Sequence, residues 1–262
     1  MMLYSSTLNY YKEWVESKGD EGKNVAVETR ITISCASHNG SKEVNEDGYL
    51  TLVGESAPCG TLGLLAVADG IGGRATGSQA SELALKTLAE VFSAGCTVAN
   101  KSVSDVPHLL RFALQKANAA VFRAQTEDES LKGMGTTCVA AALTDKEIHI
   151  VSVGDSRAYI YRHNDLIPLT KDEWIKQPNG VTLVNHAVGW QPLLPVEPSS
   201  VEAQAGDLLL LCTDGLTDVI PEEVILEVLA SWDDQTCTLL TDAAALYPNS
   251  DNVTVIIARI ED

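Results

Sequence analysis

The chain has 262 residues, 45% of them hydrophobic, which suffices for one large core; 18 Lys and Arg against 36 Asp and Glu leave a net charge of −18. That charge works against the phosphate contacts that give nucleic-acid affinity, and neither nucleic acid nor an anionic membrane is an expected partner. The longest apolar runs, Leu62–Ala68 and Leu208–Cys212, are far short of the roughly 20 residues of a spanning helix.

Residues 1–28 read as an N-terminal extension, with Tyr10, Tyr11, Trp14 and Val15 as a weak helical stripe and no basic start or apolar block of the signal-peptide kind. Strands are expected over Thr29–Ala36, Gly48–Val53 and Thr61–Ala68, the last nearly all apolar and so buried on both faces. Two helices follow. One carries Ala80, Leu83, Ala84, Thr87, Leu88 and Val91 at helical spacing; the other carries Leu110, Ala113, Leu114, Ala117 and Val121, with Asp105 and Pro107 as its start signals. Thr136–Leu143, Glu147–Val153 and Arg157–Arg162 read as an antiparallel meander. After an irregular stretch, Trp174–Pro195, a buried strand is expected over Asp207–Thr213, then helices from Pro221 and near Asp233, and a last strand over Val253–Ile260. Strands and helices come in runs rather than alternating as βαβ units, which argues for sheets packed face to face with helices outside. Six cysteines, at 35, 59, 96, 138, 212 and 237, form no CxxC pair and read as reduced, buried thiols of a cytoplasmic protein.

Four aspartates fall at strand ends: Asp47 before one strand, Asp69 after LGLLAVA, Asp214 after DLLLLCT and Asp251 before VTVIIARI. Any one of them fits a turn or a helix cap. As a set they can converge on one sheet edge, where clustered carboxylates are tolerated if hard cations such as Mg or Mn lie between them. A competing pattern, Gly70, Gly72 and Ala75 in GIGGRA, matches GxGxxA, the dinucleotide-binding fingerprint. Asp69 would then face a pyrophosphate with like charge, and the acidic residue expected about 20 positions on falls at Glu90, inside a helical pattern.

SHNGSKEVNEDGYL (37–50), LLAVADGIGGRATGSQAS (64–81), GMGTTCVAAAL (133–143), IVSVGDSRAYIYR (150–162), LTKDEW (169–174), AGDLLLLCTDGLTDVI (205–220) and SDNVTVIIA (250–258) together resemble the type-2C, metal-dependent Ser/Thr protein phosphatases, in particular compact bacterial ones. The resemblance implies an α+β fold, a four-layer α/β/β/α sandwich of two mostly antiparallel sheets, spanning 29–262 as one catalytic domain. It also implies hydrolysis of phosphoserine and phosphothreonine in proteins by a water activated between two Mn or Mg ions. In that family pattern Asp69 bridges the ions, the Gly70 carbonyl binds one, Asp214 and Asp251 bind the other, and Glu46 and Asp47 complete the shell. Phosphoproteins made by a Ser/Thr kinase are the implied partners, and a monomer is expected. In GDSR, Asp155 and Arg157 resemble residues that brace a strand through an ion pair or turn bond.

The chain departs from that family at several points. Lys42 stands where relatives carry a phosphate-gripping arginine; it keeps the charge and loses the planar fork. Ile71 stands where some relatives have a histidine. Lys132 and Gly133 replace an aspartate that holds a third ion, so no strong third site is expected. The flap region, about 171–195, is much shortened, which suggests an open site. The alternative function is a phosphatase-like phosphoprotein-binding module with little or no turnover.

Overall fold

The computed structural model describes residues 31–53, 61–72, 76–98, 105–176 and 182–261. Thirteen strands and five α-helices lie among them. Five strands form one sheet, in the order β1 (Ile31–His38), β13 (Val253–Ile260), β12 (Leu208–Cys212), β7 (Arg157–Arg162), β8 (Asp165–Pro168). The second sheet runs β11 (Ser199–Glu202), β6 (Glu147–Val153), β5 (Cys138–Thr144), β3 (Thr61–Ile71), β2 (Asp47–Val53), with the two-residue β4 (Gly135–Thr136) on the end of β3. A small hairpin pairs β9 (Trp174–Lys176) with β10 (Thr182–Val184).

Alternation within the strands builds the layers. In β3, Leu65 and Val67 point at the other sheet, and in β13 Ile256 and Ala258 point back; Leu143, Ile148, Ile160, Leu209 and Leu211 complete this dry seam. The other faces are covered by helices. Leu64, Ala66 and Ala68 meet α1 (Thr76–Val98) and α2 (Val106–Glu127) through Leu88, Phe92, Leu110 and Leu114. Leu208, Leu210, Val255 and Ile257 meet α3 (Asp214–Thr217), α4 (Glu222–Ala230) and α5 (Thr236–Ala245) through Leu216, Ile225 and Leu240. The expected four layers are therefore present, with both sheets antiparallel.

The meander is not. β5 pairs with β6, whereas β7 lies in the opposite sheet, against β12. Gly154, at φ 95°, carries the chain across, a conformation that an L side chain resists and that glycine adopts freely. Trp174–Pro195, expected to be irregular, contains β9 and β10, and β8 and β11 are also strands. No described helix is long and apolar enough to cross a membrane. The N-terminal extension, Cys59 and Ala75 of GxGxxA lie outside the described residues.

Candidate metal centre

Asp47 and Asp69 are register partners on β2 and β3, so their side chains leave the same end and face of one sheet. Asp69 is fixed through its backbone: its N–H donates to Thr137 Oγ1 at 2.9 Å, while its carbonyl accepts from Thr137 N at 2.8 Å and Thr136 Oγ1 at 2.8 Å. From the opposing sheet, Asp214 opens α3 directly after β12, and Asp251 precedes β13. The Asp251 carboxylate accepts from Asn252 N at 2.8 Å and pairs with Lys42 Nζ at 3.1 Å.

The loop carrying Lys42 is zipped onto the Asp251 turn. Ser41 donates through its N–H at 3.1 Å and its hydroxyl at 2.8 Å to the Ser250 carbonyl. Asn252 accepts from Glu46 N at 2.8 Å and donates to the carbonyls of Asn39 and Val44. At Gly40, φ 59°, a Cβ would fall 2.0 Å from the Asp251 carbonyl oxygen, so glycine is demanded by both conformation and space. Glu46 Oε1 accepts from Gly77 N at 3.0 Å in the first turn of α1, and Glu46 O accepts from Gly70 N and from Ser81 Oγ. Gly70 is buried against Gly77, whose carbonyl oxygen would lie 2.2 Å from a Gly70 Cβ.

The electrostatics show uncompensated negative charge. Burial first, then Asp251, pushes Asp47 up to about 7, against hydrogen bonds from Thr254, Thr213 and Asp69. Asp214 is pushed up to about 7 by burial and then by Asp155, Asp218, Asp47 and Asp251. Asp69 is held well above the carboxylate range by burial and by Asp47, Asp214, Asp251 and Asp155. Asp47 Oδ1 and Asp155 Oδ1 are shielded from solvent yet have no hydrogen-bond partner. Buried carboxyls that repel one another, with oxygens left over, fit a site for hard divalent cations. Among the described residues no three His, Cys, Asp or Glu side chains enclose one point.

The structure thus gathers Asp47, Asp69, Asp214 and Asp251, with Lys42 on Asp251 and with Glu46 and Gly70 packed at their base. Two further aspartates join them, as both raise Asp214: Asp155 and Asp218. Asp218 sits one turn after Asp214, its N–H bonded to the Asp214 carbonyl at 2.8 Å, and this i,i+4 spacing on one helix face was the available signal. Arg157 does not pair with Asp155. It forks onto Asp172 at 2.9 and 2.8 Å, and Asp155 is left facing the carboxylate group. The dinucleotide alternative loses its context, since Gly70 lies in an antiparallel sheet, paired with Thr136.

A family model described as Protein phosphatase 2C matches residues 35–245. Among curated relatives, the serine/threonine phosphatase stp of Listeria welshimeri is 32% identical over 214 residues, covering 75% of this chain and 84% of the relative. The serine/threonine protein phosphatase PstP of Mycobacterium tuberculosis is 34% identical over 218 residues, 76% of this chain and 40% of its own length. A solved structure of the PstP catalytic domain in complex with two manganese ions superposes with a TM-score of 0.75 at 31% identity, covering 88% of this chain and 99% of that one. Sequence match, fold and the carboxylate-lined sheet edge agree, and the chain belongs to the protein phosphatase 2C family.

Proposed function

We propose that this chain is a metal-dependent protein phosphatase that hydrolyses phosphoserine and phosphothreonine, with water as the acceptor and no covalent enzyme intermediate. The observation that carries this reading is the convergence of buried, mutually repelling Asp47, Asp69 and Asp214 at one end of the two sheets, in a chain of the protein phosphatase 2C family. Asp69, Asp214, Asp251, Asp47, Glu46 and the Gly70 carbonyl would hold two Mn or Mg ions, as the manganese complex of PstP suggests. When bound, these ions would neutralise phosphoryl charge and lower the pKa of a nearby water, so that it gives up a proton to solvent and hydroxide is available to attack phosphorus.

The protein's own contribution is placement and field. β2 and β3 hold Asp47 and Asp69 in register, and Thr136 and Thr137 pin Asp69 through its backbone. Lys42 binds the substrate phosphate; the Ser41–Ser250 contacts keep its ammonium beside Asp251 at the site's rim. Its single point charge grips less firmly than a forked arginine. The excess of carboxylates around Asp214 would repel a phosphoester, and bound cations reverse that local field despite the net charge of −18. Residues 29–262 are the catalytic domain, acting as a cytoplasmic monomer on the products of a Ser/Thr kinase. The flap region, which holds the β9–β10 hairpin, is short, and this supports reading the site as open.

Hydrolysis of a phosphothreonine peptide tests this. Phosphate release should require Mn or Mg, stop with chelator, and fall at least 100-fold in both Asp69→Asn and Asp214→Asn. Mn binding without phosphate release would instead assign the chain to phosphoprotein binding without turnover.

A further inference from the structure

Thr213 occupies the N-cap of α3, where a threonine hydroxyl ordinarily accepts from the helix's first free N–H groups; here it makes no such bond. It is fully buried, at 0% exposure, and its hydroxyl is used across the sandwich. Thr213 Oγ1 donates to Asp47 Oδ2 at 2.9 Å and accepts from Thr254 N at 2.9 Å, while Thr213 N donates to the Thr254 carbonyl at 3.1 Å.

A second line of donors arrives from β1 and β13. Asn45 Nδ2 donates to Ser37 Oγ at 2.9 Å, and Ser37 Oγ lies 2.8 Å from Thr254 Oγ1, on the residue whose N–H holds the Thr213 hydroxyl. The Asn45 side-chain amide oxygen, Oδ1, returns to the same residue by accepting from Asp47 N at 3.1 Å. Asp47 belongs to one sheet; Ser37, Thr213 and Thr254 belong to the other side of the seam. Among the Asp47 oxygens, Oδ2 is thereby engaged and Oδ1 stays buried and free.

We infer that Thr213 is a positioning residue: its hydroxyl clamps Asp47 Oδ2 across the two sheets, aims Oδ1 at the cation, and ties the Asp47–Asp69 ligand pair to Asp214, its own chain neighbour. The inference rests on the metal-dependent reading above. Groups that orient a metal ligand in this way typically change metal affinity about 10–100-fold when removed.

The test uses the full chain as wild type, Thr213→Val and Thr213→Ser, with Mn affinity measured by titration calorimetry in the absence of substrate, and circular dichroism as the check on folding. Thr213→Val should weaken Mn binding by about 10–100-fold, and Thr213→Ser, which keeps the hydroxyl, should stay within about threefold of wild type. Phosphate release by Thr213→Val should recover most of its kcat once Mn is raised to saturation, which general loss of packing would not allow. If Thr213→Val does not fold, Thr213→Ala, which removes the same hydroxyl with a smaller side chain, gives the comparison with Thr213→Ser. Equal Mn affinity in the valine and wild-type proteins overturns the inference, as does equal impairment by serine and valine. A wild type that binds no Mn overturns the functional reading itself, and this inference with it.

Discussion

Lys42 shows how one side chain changes a site without changing its logic. Its ammonium reaches both Asp251 oxygens, at 3.1 and 3.2 Å, while 49% of the side chain is exposed. Lys42→Ala should raise KM for a phosphothreonine peptide about 5- to 20-fold, with a smaller change in kcat, and Lys42→Arg should lower KM below wild type; steady-state kinetics at saturating Mn measure both. His149 gives a pH prediction away from the centre. Burial holds its pKa below the usual 6.5, its Nδ1 sits 2.7 Å from Ser200 Oγ, and its Nε2 has no partner. The unfolded chain therefore binds the proton more readily, so His149's contribution to stability is present above about pH 6.5 and is lost as pH falls below it. The raised carboxyls of the centre titrate in the opposite sense, so the effect is read as a difference: in urea unfolding between pH 7.5 and 5, wild type should lose stability relative to His149→Gln as pH falls. The thiols are inert for a related reason: burial pushes Cys138 and Cys212 up to about 12 and Cys237 up to about 11. Brief iodoacetamide treatment of the native protein at pH 8, followed by peptide mapping, should leave these three unmodified. The expectation of buried thiols holds for them and for Cys96, while Cys35 is half-buried.

Among the elements, α2 does more than cover a sheet. Three of its amides staple the segment that returns from the short hairpin: Gln115 to Leu194, Asn118 to Gly189 and Gln191, and Gln125 to Gly189. Asn118 is fully buried, so Asn118→Leu should strip partners from the Gly189 N–H and the Gln191 carbonyl and cost about 2–4 kcal/mol by chemical denaturation. Periodicity predicted α1 and α2 well, because their apolar stripes face a sheet and repeat at helical spacing. It located β5, β6 and β7 and the antiparallel β5–β6 pair but not the partner of β7, since one positive-φ glycine sends the chain to the other sheet and alternation says nothing of partners. β8, β9, β10 and β11 are three or four residues long, too short to display a period.

Across the whole molecule, the centre is where two sheets end together, and each supplies carboxylates that the other repels. Asp69 and Asp214 were legible as strand-end acids, and the element order announced the layers. The Lys42–Asp251 pair and the Thr213 clamp were not, because their partners stand 209 and 166 residues apart and meet only in the packed sandwich. So long as no cation is bound, the carboxylate repulsion opposes folding, and Mn should stabilise the native state by about 2.7 kcal/mol at a free concentration 100 times its Kd. A calorimetric titration of the wild-type chain and of Asp69→Asn with Mn tests the account most directly. It predicts two ions per wild-type chain, with Asp69→Asn losing at least one of them and binding any other far more weakly. Absence of Mn binding in the wild type, or an unchanged isotherm in Asp69→Asn, would contradict it.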